Sequence, residues 1–196
     1  VGLCIGVVSL AVLAQSAGER KTHLPATLAA DRKIYVANED DGTVSVIDGK
    51  SLKAIRSIAV GKGAHNVQIS PDGTRVWVTN IGSPSTSPDN VSHKGMPMAE
   101  HGSMAVTGEV WAIDTATDAV VAKVGVGKHP AHVVLTNDGM FALATNGGEN
   151  TVSMVDTATL RIVETIPTGE FPHGIRVSPD GKQVYVANLK GGTVSV

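Results

Sequence analysis

Short apolar runs separated by Gly, Asp, Asn and Pro follow one another along most of the chain. Ile34 to Ala37 is the first such run, and Asn38-Glu39-Asp40-Asp41-Gly42 after it supplies turn residues. Thr43 to Asp48 then alternates apolar and small polar side chains, the period of a half-buried strand. Ile55 to Val60 predicts a third strand, and Val67 to Ser70 a fourth. Pro71-Asp72-Gly73 closes the unit as a turn, because Pro presets one dihedral and Gly accepts a positive one.

The unit repeats. Ile34-Tyr35-Val36-Ala37-Asn38 returns as Val76-Trp77-Val78-Thr79-Asn80, as Ala142-Leu143-Ala144-Thr145-Asn146 and as Val184-Tyr185-Val186-Ala187-Asn188, with the asparagines 42, 66 and 42 residues apart. Asp48, Asp114 and Asp156 keep the last two spacings, 66 and 42, and so do Asp72, Asp138 and Asp180. Four antiparallel strands per unit at this period predict an all-β chain, a β-propeller of four-stranded blades. About fourteen strands, or three and a half blades, are predicted. Trp77 and Trp111 are expected to pack between blades. The repeated asparagines are expected to satisfy turn backbone groups.

Tyr35-Val36-Ala37-Asn38 and Tyr185-Val186-Ala187-Asn188, joined to Gly-Thr-Val-Ser-Val at Gly42 to Val46 and Gly192 to Val196 and to Ser-Pro-Asp-Gly at Ser70 to Gly73 and Ser178 to Gly181, resemble the YVTN family of β-propeller repeats. The resemblance spans residues 33 to 196. Neither a Trp-Asp signature nor a Gly-His dipeptide occurs, which points away from WD40 repeats. The resemblance implies a seven-bladed ring exported to the bacterial envelope, of which this chain would be an N-terminal fragment.

Composition adds the compartment. Val1 to Leu13 is an apolar run followed by Ala14 to Gly18 and then by charged Glu19, Arg20 and Lys21. That order predicts a secretory signal at 1–17, too short to span a bilayer. A leader would fill 18–32, and the propeller 33–196 would be periplasmic or extracellular, with no membrane span after signal removal. Cys4 is the only cysteine, and it would leave with the signal. Thiolate chemistry and disulfides are then excluded from the mature chain. Charge is balanced, 16 Lys+Arg against 18 Asp+Glu, so no nucleic-acid surface is indicated.

One loop breaks the period. Ile81 to Gly108 holds 28 residues where Glu39 to Gly42 holds four, and it carries His93, Met96, Met98, His101 and Met104. Imidazole suits copper, zinc and nickel, and thioether suits Cu(I). Antiparallel alternation places this loop on the same face as the loops Gly61 to Asn66, Gly127 to His132 and Gly169 to Gly174. Those loops bring His65, His132 and His173 to that face, near the mouth of the central channel. Two readings stand. In one, His65, His132 and His173 ligate a metal or cofactor, with His93, Met96, Met98 and His101 as a lid or separate copper site. In the other, the histidines are repeat positions that cap loops. The register speaks for the second reading, since His65 and His173 lie seven residues before Asp72 and Asp180, whereas His132 lies six before Asp138.

No catalytic signature is present, neither Gly-x-Ser-x-Gly nor His-Glu-x-x-His nor a phosphate-cradling loop. The chain therefore reads first as an exported binding or scaffold module taking a protein or small-molecule ligand at the channel-mouth face. A copper- or haem d1-type propeller is the alternative, and a surface-layer adhesion protein a third.

Overall fold

The computed structural model describes residues 32–81 and 107–196. The signal segment 1–17 and the leader up to residue 31 lie outside them, as do residues 82–106 of the long loop. Fourteen strands run in chain order. They are β1 (Lys33–Asn38), β2 (Thr43–Asp48), β3 (Ala54–Ala59), β4 (Ala64–Ile69), β5 (Arg75–Asn80), β6 (Glu109–Asp114) and β7 (Ala119–Gly125). Then follow β8 (Pro130–Leu135), β9 (Phe141–Asn146), β10 (Thr151–Asp156), β11 (Arg161–Pro167), β12 (Pro172–Val177), β13 (Val184–Asn188) and β14 (Thr193–Ser195). Among the described residues there is no helix, and so none long and apolar enough to cross a membrane.

Four antiparallel sheets result, β1-β2-β3, β4-β5-β6-β7, β8-β9-β10-β11 and β12-β13-β14. They are successive propeller blades, called blades 1 to 4 below. The repeat read from the sequence is out of phase with the blade. Its fourth strand pairs with the first strand of the next repeat, as β4 does with β5, because the chain crosses from the outer edge of one blade to the inner edge of the next. Inner strands pack on inner strands, β4 on β8 and β8 on β12, and β1, the second strand of its blade, packs on β4 as β5 does on β8.

The innermost strands also begin earlier than the apolar pattern indicates. His65, His132 and His173 lie in β4, β8 and β12, not in the preceding loops. The pattern failed there because each inner strand opens with a β-bulge. Pairing slips by one residue between Ala64 and Asn66, between Pro130 and Val133, and between Pro172 and Ile175. A bulge breaks the two-residue alternation that marks a strand.

The core lies between blades. Tyr35, Val46 and Val60 of blade 1 meet Val67, Val76 and Ile113 of blade 2. Trp77, only 1% exposed, carries blade 2 into Val133, Leu135 and Ala142 of blade 3. Leu143 and Val152 meet Ile175 and Val186 at the next junction. Trp111 packs on the first of these clusters, so both tryptophans fill interblade space. Burying side chains of this size stabilises by roughly 1.5–3 kcal/mol each.

Polar groups complete the joints. Asp118, buried at φ 54°, accepts the Tyr35 hydroxyl at 2.8 Å and the Lys33 ammonium at 2.9 Å across blades 1 and 2. One blade on, Arg75 donates to the Thr157 carbonyl at 2.9 Å. In blades 1, 3 and 4 the second strand meets its neighbour through the asparagine. Asn146 donates to Thr151 Oγ1 at 3.0 Å and Ser153 Oγ at 2.9 Å, and accepts the Gly127 amide at 3.1 Å. Asn38 and Asn188 make the matching pair of bonds, to Thr43 and Ser45 and to Thr193 and Ser195. The glycine is required, since a Cβ on Gly127 would come 2.6 Å from Asn146 Cγ.

The opposite face is built from carboxylate turns. Asp72, Asp138 and Asp180 accept Ser70, Thr136 and Ser178 hydroxyls, with Gly73, Gly139 and Gly181 following at φ 72–73°. Those hydroxyl donors and the turn amides hold all three carboxyls below the ordinary 3.8. The stability they contribute is present above that value and is lost as pH falls below it. Tyr35 acts at the other end of the scale. Burial first, then its bond to Asp118, pushes the phenol well above its ordinary 10.0. A raised folded-state pKa gives stability that is complete below pH 10.0 and is lost as pH rises past it. Unfolding free energy, followed by urea titration, should therefore decline above about pH 10, and Tyr35→Phe should flatten that alkaline limb. An unchanged limb in the variant would locate the alkaline transition elsewhere.

Candidate functional site

Three imidazoles from three successive blades converge at the inner edge of the stack. Ring centroids are 5.7 Å apart for His65 and His132, 5.3 Å for His65 and His173, and 4.9 Å for His132 and His173. Each ring offers a nitrogen, and these nitrogens all lie within 4.8 Å of one another. A transition ion held by imidazole at about 2.0–2.1 Å places its donors roughly 3.3 Å apart in a tetrahedral arrangement. Small side-chain rotations cover the difference.

The bulges account for this convergence. Counted from the residue facing the recurring asparagine, His65 and His173 stand at the first bulge position and His132 at the second, the place of Asn66 and Gly174. In a regular strand such an offset would send His132 to the opposite face. At a bulge two residues oppose one, so a side chain can be re-aimed. The offset noticed in the sequence is real, and the rings meet in spite of it.

Two buried threonines close the bulges, and the sequence analysis missed both. Thr145 Oγ1 accepts the His132 amide at 3.0 Å and donates to the His173 carbonyl at 2.9 Å. Thr79 Oγ1 accepts the Asn66 amide at 3.1 Å and donates to the Ala131 carbonyl at 2.7 Å. Asn66 then passes the link on, accepting the Val133 amide at 3.1 Å. Each threonine serves the freed backbone of its own blade and ties it to the next. The available signal was the residue before the recurring asparagine, Ala in blades 1 and 4 but Thr in blades 2 and 3.

Burial sets the electrostatics. It is the main cause that pushes His132 down to about 4, and the neighbouring His173, His65 and Arg176 add to it. His173 is lowered as well, by burial and then by His65, while Glu39 opposes the shift. Both rings are thus neutral near pH 7 and keep a lone pair for a cation. His132 Nδ1 is buried without a hydrogen-bond partner among the described residues. His65 Nδ1 lies 3.2 Å from Glu39 Oε2. The long loop departs beside this site, since Asn80 pairs with Ala64 and the Ile81 amide reaches the Gly63 carbonyl at 3.4 Å. His93, Met96, Met98 and His101 lie outside the described residues. His129 is exposed on its turn at φ 50° and is not one of the trio.

Blade 2 departs from the asparagine pattern next to the site. Glu109 and Trp111 stand where Thr and Ser partner the asparagine in the other blades, and Asn80 is left buried with neither side-chain atom bonded among the described residues. Trp111 instead donates to Glu109 at 2.9 Å, and Lys123 lies 3.8 Å above its ring.

A stack of antiparallel blades of three or four strands defines a β-propeller, and the three histidines gather at its inner edge. The sequence model of the family described as "Lactonase, 7-bladed beta-propeller" matches residues 98–196, half of the chain, and the chain belongs to that family. Two solved structures share the fold. Kuenenia stuttgartiensis hydrazine synthase aligns at TM-score 0.64 and 19% identity over 87% of this chain and 45% of its own. Dihydro-heme d1 dehydrogenase NirN in complex with DHE aligns at TM-score 0.60 and 18% identity over 87% and 32%. The chain thus spans less than half the length of either. No curated protein sequence matches it significantly.

Thr145→Val keeps the shape of the side chain but leaves the half-buried His132 amide without an acceptor. It should destabilise the protein by about 1–3 kcal/mol, whereas Thr145→Ser should retain most of the stability. Urea midpoints of the two variants test this, and a valine variant as stable as the parent would refute the role.

Proposed function

We propose that this protein is an exported, YVTN-type propeller that binds a transition-metal ion at the inner edge of its blades through His65, His132 and His173. One observation carries the reading, the approach of three imidazole nitrogens to within 4.8 Å from three separate blades. Supporting it, His132 is half-buried and neutral, and its buried Nδ1 has no partner among the described residues. Burying such a group uncompensated is costly, and a bound cation nearby would offset that cost. An all-imidazole set suits copper, zinc or nickel, and copper agrees with the soft donors of the adjoining loop. The same face would receive a protein or small-molecule ligand.

The neighbour solved with DHE raises a tetrapyrrole as another occupant. The donor geometry favours a bare ion, because a planar macrocycle offers its metal only two axial positions, on opposite sides. The family match favours one further reading, lactone hydrolysis. A histidine-held ion with an open position would supply Lewis-acid polarisation of the lactone carbonyl.

Metal analysis of the full-length protein purified without chelator should show near-stoichiometric copper, zinc or nickel. His65→Ala, His132→Ala and His173→Ala should each reduce it to a small fraction. Removal of residues 82–106 separates an ion held by the trio from any held by His93, Met96, Met98 and His101. Parent protein that stays metal-free after incubation with each ion would end the proposal.

A further inference from the structure

The three histidines are not equivalent in what surrounds them. His132 Nδ1 is buried and unbonded among the described residues, whereas His65 Nδ1 faces a carboxylate oxygen of Glu39 at 3.2 Å. Glu39 follows the recurring asparagine, and the residues at that position in the other three repeats are Ile81, Gly147 and Leu189. Only blade 1 therefore offers a carboxylate there. The set of mutually close donor atoms comprises the three imidazoles and leaves Glu39 out. A carboxylate beside one ring nitrogen but outside the ligand set has the placement of a partner that orients a metal-binding histidine.

Building on the tri-histidine reading, we propose that Glu39 is a positioning residue of the metal site. It keeps the proton of His65 on Nδ1 and turns Nε2, with its free lone pair, toward the ion. Nothing in the geometry makes Glu39 a ligand. Its side chain is 53% exposed in the β1–β2 turn, so its replacement leaves the blade interior untouched. The site is then asymmetric. Glu39 of blade 1 anchors the imidazole of blade 2 through a side chain, while the imidazoles of blades 3 and 4 are set through the backbone, with Thr145 holding both the His132 amide and the His173 carbonyl. Thr145 fixes the backbone of those two residues but bonds no ring nitrogen of either. A carboxylate-held ring is fixed in tautomer as well as in direction.

Two measurements on the full-length protein test this. Zinc affinity, read by competition with a chelating dye, should fall about 10–100-fold in Glu39→Ala and less in Glu39→Gln, whose amide oxygen can still accept a hydrogen bond. Thermal midpoints of the metal-free variants should match the parent. In the metal-free protein, long-range proton–nitrogen correlation spectra should show His65 protonated on Nδ1, and Glu39→Ala should mix the tautomers. A merely structural residue would move neither the tautomer nor the affinity at constant midpoint. Unchanged zinc affinity in Glu39→Ala, with affinity lost in His132→Ala, overturns the role of Glu39 and leaves the tri-histidine site standing. A parent His65 protonated on Nε2 overturns it as well, whatever the zinc result. A parent protein that binds no zinc, copper or nickel overturns the ligand set and this role with it.

Discussion

Every feature of the axial face depends on the β-bulge that opens each inner strand. One extra residue enters β4, β8 and β12 at the point where the strand passes the recurring asparagine of its partner. The bulge frees one amide from the ladder, and a buried free amide is costly unless something accepts from it. In blades 2 and 3 a threonine hydroxyl does so and donates onward to a carbonyl of the next blade. The same two hydrogen bonds therefore repair the defect, fix the direction of the histidine backbone and lock adjacent blades. A local irregularity becomes the means by which the blades are held in register.

The asparagine completes this arrangement from the other side. Its amide reaches Thr and Ser on the following strand, and in blade 3 its carbonyl oxygen takes the amide of the glycine that leads into the inner strand of the same blade. The recurring Asn and the Thr-Val-Ser triplet after it are thus two halves of one contact, repeated in blades 1, 3 and 4. Blade 2 gives up this contact. Glu109 and Trp111 occupy the partner positions, and the segment from 81 to 108 leaves from the same corner. Departure from the repeat therefore coincides with the approach to the histidines.

The face so built is chemically uneven. Two imidazoles are held neutral by burial, and the third stands beside a carboxylate that no other repeat supplies. Neutral imidazole is the form that binds a cation. The opposite face, by contrast, consists of hydroxyl-capped aspartate turns whose carboxyls are already satisfied within each turn. Free ligating capacity thus collects on the face that carries the histidines.

By itself the sequence determined the blades. Alternation with period two, the Pro-Asp-Gly turn and the repeated asparagine each act over a few residues, so they can be read locally, and fourteen strands follow from them. It also put His65, His132 and His173 on one face, because antiparallel strands turn alternately at opposite ends. What it left open was whether the rings meet. The six-residue spacing of His132 counted against that, and only the bulge, a relation between two paired strands, reconciles it. Thr79 and Thr145 were equally invisible, since Thr and Ala both suit a strand and the hydroxyl's acceptor lies in the next blade, 52 and 28 residues away along the chain. Glu39 was read as a turn residue for the same reason. Its partner is His65, which only the crossing from β3 to β4 brings beside it. Local rules act within a strand and its turn, whereas the site is assembled between blades, and that assembly exists only in the tertiary structure.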